Sequence, residues 1–193
     1  MMNAPHLPAE CRALVLFGAT GDLARRMLWP SLYALDCDGL LPTNFPLVGA
    51  ATSVLSSERF IARIKEAILQ SANAALFNDV AFSAFATRVM YVSVDVQAPG
   101  SLGPIREALS PPVADEKRGI IFYLSTGPHL FGQICVALRD SGLVDQHSRV
   151  VIEKPIGTDS ISANRTNDRL LPRSLKTRCF ASITISARRR CRT

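Results

Sequence analysis

A chain of 193 residues with 48% hydrophobic content is long enough to bury a substantial core in one ordinary domain, and too apolar to be a disordered chain. Its formal net charge of +6 is uneven: residues 1–168 hold 14 Lys+Arg against 16 Asp+Glu, while residues 169–193 hold 8 Lys+Arg and no acid, so the basic character belongs to the tail, for which a nucleic-acid arm is one reading. No apolar run approaches a membrane span, and Cys11, Cys37, Cys135, Cys179 and Cys191, odd in number and without a CxxC pair, argue against a disulfide framework or a zinc site.

The N-terminal MMNAPHLPAECR has no charged and then apolar leader, so the chain reads as cytoplasmic. Leu14–Phe17 is an apolar run that predicts a buried strand, closed by Gly18 and Gly21. Asp22–Gly39 then predicts a helix, with Leu23, Met27, Leu32 and Leu35 on one face and Asp22 at its positive end. Phe45–Ala51 reads as a second strand. A helix opened by Ser56 or Ser57 follows, carrying Phe60, Ile61, Ile64 and Ile68. Met90–Val96 is a β-rich run, PGSLGPIREAL a short helix, and Gly119–Ser125 another buried strand. Pro111 to Arg118 reads as an exposed loop between them. A helix over His129–Ser141 leads to a last strand, Arg149–Glu153. Strands alternating with helices predict an α/β fold with a doubly wound, mostly parallel sheet, and a ligand outside the strands' carboxyl ends.

Glycines directly after a strand let main-chain N–H groups approach a phosphate at a helix N-terminus. Gly18, Thr20 and Gly21 are therefore candidates for a pyrophosphate cradle, with Ala24 as the small residue that lets helix and strand pack closely. The pattern is a GxxGxxA variant of the dinucleotide fingerprint, and a purely structural turn carries the same residues.

Three separated stretches share one further likeness. GATGDLARR at Gly18–Arg26, FYLSTGPHLFG at Phe122–Gly132 and VVIEKPIGTD at Val150–Asp159 resemble, in order and spacing, the coenzyme domain of glucose-6-phosphate dehydrogenase, over roughly Cys11–Asp168. The resemblance implies a Rossmann-like domain at residues 11–168 and oxidation of glucose 6-phosphate to its lactone with NADP, the first step of the pentose phosphate pathway. It places the coenzyme loop on Gly18, Ala19, Thr20, Gly21, Asp22, Leu23, Ala24 and Arg25, a coenzyme-contacting pair on Asp95 and Val96 at a strand end, and an aromatic neighbour of the coenzyme on Tyr123. Lys154 matches a lysine that touches both substrate and nicotinamide, with Pro155 after it as a hinge. A core aromatic and a solvated strand-end lysine are the alternatives for Tyr123 and Lys154. Thr52 stands where NADP-preferring members carry an arginine for the 2′-phosphate, and no carboxylate replaces it, so NAD stays possible and discrimination is expected to be small. Arg59, a few residues on, is either a substitute or a helix-surface arginine. His6, His129 and His147 do not match the family's catalytic histidine, and no metal ligands are assigned.

The family continues with RIDHYLGKE, whereas residues 169–193 form a basic tail expected to be irregular. Taking the third base of each codon with the first two of the next, permitted codons from Cys179 to Thr193 spell FRIDHYLGKETVQN, so the tail reads as out of frame. The resulting expectation is a truncated dehydrogenase that binds coenzyme at most, with no membrane partner, no oligomer interface domain, and glucose 6-phosphate bound only by a full-length relative. The alternative is a non-catalytic nucleotide-binding protein whose basic tail meets nucleic acid.

Overall fold

The computed structural model describes residues 11–98, 100–110 and 119–152, and the backbone of residues 180–181. The expected loop at Pro111–Arg118, the stretch around Lys154 and the rest of the tail lie outside these residues. β1 (Cys11–Phe17) is the centre of the sheet, and its apolar run is buried on both faces because successive side chains alternate. Ala13, Val15 and Phe17 enter one core; Leu14 and Leu16 enter the other.

After β1 the chain turns at Gly18 and enters helix. The helix expected over Asp22–Gly39 is divided: a π-helical turn, Ala24–Leu28, precedes α1 (Trp29–Cys37). Pro30 explains the widening, since it has no N–H for the carbonyl four residues before it, and the Trp29 N–H reaches back to Ala24 O instead. β2 (Leu47–Ala51) and α2 (Ser57–Leu69) follow, α2 opening on Ser56, whose hydroxyl accepts the Arg59 N–H at 3.3 Å. Phe60, Ile64, Ala67 and Ile68 form its buried face.

α3 (Asp79–Ala86) is an element the pattern reading does not contain. It is short, and it is held by its cap and its aromatics: Asn78 Oδ1 accepts from Val80 and Ala81 at 2.9 and 3.0 Å, while Phe82 and Phe85 pack around Tyr33. β3 is Val89–Ser93, shorter than the run Met90–Val96, so Asp95 and Val96 lie beyond the strand rather than at its end. The Asp95 carboxylate instead accepts the Gln97 N–H at 3.0 Å and builds a turn. α4 (Gly103–Ala108), β4 (Gly119–Leu124), α5 (Phe131–Ser141) and β5 (Arg149–Ile152) complete the body.

All pairings are parallel, in the order β3-β2-β1-β4-β5-β6. β6 is Phe180–Ala181, two positions of the tail for which irregular structure is expected, set beside Val151 and Ile152. α1, α2 and α3 cover one face, with Trp29, Tyr33 and Phe60 as bulky core residues; α4 and α5 cover the other, around Ile105, Phe122 and Ile134. The chain leaves β1 for β2 on one side and later returns to β4 on the other, which opens a crevice at the carboxyl ends of β1 and β4.

Candidate functional site

The glycine turn stands at that crevice, and its two glycines differ in role. Gly18 has φ +75, and a Cβ there would lie 2.1 Å from the Ser125 carbonyl oxygen, so glycine lets the end of β4 close against the turn. A Cβ on Gly21 would meet only Gly18 O, at 3.1 Å; otherwise it faces open space, and Gly21 is exposed. The cradle differs from the expected one in its donors. The N–H groups of Gly18 and Ala19 bond Ala50 O at 2.9 and 3.2 Å, and that of Gly21 bonds Gly18 O at 2.9 Å. The first amides of a helix have no intrahelical acceptor, which leaves Asp22 and Leu23 to meet an anion.

Two residues unmarked in the sequence fix this turn. Trp29, fully buried, donates from Nε1 to Ala19 O at 3.0 Å and so holds the carbonyl of the turn inward. Gly49 in β2 leaves room for Phe60, because a Cβ there would lie 2.6 Å from the Phe60 ring and 3.0 Å from Ala19 Cβ. Phe60 in turn meets Trp29 edge-on at 5.4 Å and Tyr91 at 4.4 Å between centroids. Ala24 has no exposed surface and lies where the helical segment meets the sheet; Ala19, also buried, lines a cavity beside the turn.

Opposite the turn, Ser125 and Thr126 follow β4. Their hydroxyl oxygens are buried and find no partner among the described residues. Buried polar groups ordinarily find partners, so two orphaned hydroxyls beside Gly18 mark a place for a polar ligand. On the outer side of the turn, Thr20 Oγ1 lies 3.4 Å from Ser53 Oγ, next to exposed Thr52, and a cavity of about 170 Å³ opens between Thr20, Arg25, Arg63 and the Trp29–Phe60 wall. Tyr91 Oη donates to Ser53 O at 2.5 Å. Burial raises the Tyr91 hydroxyl above its ordinary pKa, while the Arg63 charge and the Ser53 contact oppose the rise.

The remaining candidates scatter. Asp22 is exposed and pairs with Arg25 at 3.2 Å and Arg26 at 3.1 Å. Leu23 is 36% exposed at the start of the helical segment. Val96 lines a second, larger groove of about 980 Å³, which passes Pro128 and His129 and runs along α5 to Asp140. Tyr123 is partly buried against the core beneath α1–α3. Lys154 lies outside the described residues. His129 is exposed, and His147 sits in the turn before β5 beside Gln146.

The match to the family model of the glucose-6-phosphate dehydrogenase NAD-binding domain runs over residues 15–179. The chain belongs to this family. It is 36% identical over 168 residues to the glucose-6-phosphate 1-dehydrogenase of Mycolicibacterium smegmatis, covering 86% of this chain and 34% of that one. It is also 36% identical over 158 residues to the enzyme of Zymomonas mobilis, covering 82% and 32%. Among solved structures, the glucose-6-phosphate 1-dehydrogenase of Mycobacterium avium superposes with TM-score 0.71 at 34% identity, over 83% of this chain and 33% of that one. A glucose-6-phosphate dehydrogenase solved with its substrate glucose 6-phosphate gives TM-score 0.75 at 27% identity, over 90% and 36%. The chain thus spans about a third of the length of the curated relatives it matches. Among the described residues of this dehydrogenase domain, no helix is long and apolar enough to cross a membrane.

Proposed function

We propose that this domain holds NADP across the crevice between β1 and β4, and that the protein built on it oxidises glucose 6-phosphate at C1 to the lactone in the cytoplasm. The observation that carries the coenzyme reading is the turn: glycine is sterically required at Gly18, whereas at Gly21 it leaves space open at a helix start. Two features fit the group. The unpartnered Ser125 and Thr126 hydroxyls offer donors beside the turn, and the amides of Asp22 and Leu23 offer main-chain donors to a diphosphate. When bound, NADP supplies the acceptor for the hydride leaving C1.

The chain's own residues position and shield that group. Trp29 and Ala24 set the angle at which the helical segment meets the sheet, and Gly18 lets β4 close against it. Lys154 is proposed to hold sugar hydroxyls by its fixed charge and three donors. The chain by itself is proposed to bind coenzyme without turnover, since general-base removal of the C1 hydroxyl proton needs a group within hydrogen-bond reach, and none of His6, His129 and His147 matches the family's catalytic histidine. Calorimetric titration of the chain with NADP and NAD, beside a glucose 6-phosphate-dependent absorbance assay, tests this. Saturable binding with no turnover above a Lys154→Ala control is expected. Turnover clearly above that control refutes the passive role, and a folded chain that binds neither coenzyme refutes the coenzyme reading.

A further inference from the structure

Dinucleotide sites read the adenosine ribose at the end of the second strand: a carboxylate there takes the 2′-hydroxyl of NAD, and an arginine nearby takes the 2′-phosphate of NADP. Here the end of β2 leads into Thr52 and Ser53, which carry neither charge. A positive charge stands nearby on another element, α2. Thr20 and Arg63 line one cavity, whose floor is formed by Trp29, Phe60 and Ile64. The contact of Thr20 with Ser53 at 3.4 Å puts the mouth of that cavity beside the loop after β2. Arg63 projects from the face of α2 next to Phe60, close enough for its charge to act on the Tyr91 hydroxyl, which is itself bonded to Ser53 O.

Three other charged groups lie near this cavity. Arg25 shares the cavity but pairs with Asp22 at 3.2 Å, and the acid on the same wall, Glu66, accepts from Gln70 at 3.0 Å. Arg59, the alternative suggested by sequence position, sits in the exposed first turn of α2 and does not line the cavity. Arg63 makes no hydrogen bond or ion pair with a described residue.

We propose that Arg63 is the specificity-determining residue of the coenzyme site: its guanidinium pairs with the 2′-phosphate at the Thr20–Ser53 mouth and selects NADP over NAD. The inference rests on the coenzyme reading above. A guanidinium presents parallel N–H donors that match two phosphate oxygens, and the apolar floor beneath it limits competing water. NAD places a hydroxyl at the same point, which leaves Arg63 solvated and costs little. Selectivity therefore arises as a gain for NADP, larger than Thr52 alone would give.

Titrating the full chain with NADP, NAD and adenosine 2′,5′-bisphosphate tests the assignment. Arg63→Gln is expected to weaken NADP and the bisphosphate by about 10- to 30-fold and to leave NAD within about twofold. Arg63→Lys retains part of the preference, and Arg59→Gln changes nothing. NADP affinity unchanged in Arg63→Gln, equal loss of NAD and NADP, or the loss appearing in Arg59→Gln instead each overturns the proposal. An unmodified chain that binds NAD without favouring NADP overturns this assignment alone, whereas one that binds neither overturns the coenzyme reading beneath it.

Discussion

Replacing each turn glycine separates the architecture of the site from its ligand. At Gly18, alanine must adopt φ +75 and place its Cβ 2.1 Å from Ser125 O and 3.0 Å from Thr126 Cγ2. The left-handed backbone costs about 1–2 kcal/mol and the overpacking about 1–3 kcal/mol, giving about 2–5 kcal/mol in all. For a chain of this size that lowers the melting temperature by about 2–4 °C per kcal/mol. At Gly21 the new atom meets only Gly18 O at 3.1 Å, a contact relieved by a shift of a few tenths of an ångström. Gly21→Val is therefore expected to keep stability within about 1 kcal/mol while abolishing coenzyme binding. Thermal denaturation and calorimetric titration on the same preparations distinguish the two. A Gly18→Ala variant that melts normally, or a folded Gly21→Val variant that binds coenzyme as before, refutes the division of roles.

Trp29→Phe keeps an aromatic ring but removes the Nε1 donor to Ala19 O, so a stability loss of about 1–3 kcal/mol with weaker coenzyme binding is expected by denaturant titration, and unchanged values for both contradict it. The Glu58 carboxyl is held below its ordinary value of 4.5 chiefly by the Ser56 hydroxyl. Its contribution to α2 is thus complete above 4.5 and fades as pH falls through the lower folded value; Glu58→Gln should flatten the acid limb of the stability profile, and an unaltered limb counts against the Ser56–Glu58 hydrogen bond. Sequencing the gene tests the displaced frame: codons 179–193 are expected to spell FRIDHYLGKETVQN when read from the third base, and one incompatible codon ends that reading.

The sheet is legible because its signal is local. The apolar run of β1, the period of Phe60, Ile64 and Ile68 on α2, and the glycines after Phe17 each carry their meaning within a few residues. The misses come from tertiary contacts. α3 depends on the Asn78 cap and on Tyr33 from another helix, which a short window does not contain. The π-helical turn depends on the conflict between Pro30 and a continuous ladder. Ser125 and Thr126 look like ordinary loop hydroxyls until the Phe17–Leu124 register brings them to Gly18. Arg63 stays exposed in the fold and is singled out only because it lines one cavity with Thr20 and Trp29 once α2 is in place. Conversely, Asp95 looked like a strand end because MYVSVDV stays β-rich past Ser93, whereas its carboxylate closes a turn.

Coenzyme is proposed to lie across the glycine turn at the ends of β1 and β4. Amide chemical-shift mapping of the labelled chain during an NADP titration tests it most directly. The largest shifts are expected at Gly18 to Arg25, Thr52, Ser53, Ser125 and Thr126, with saturation at a single site. Shifts confined to the lower end of the groove along α5, at Val136, Asp140 and Ser141, would contradict it.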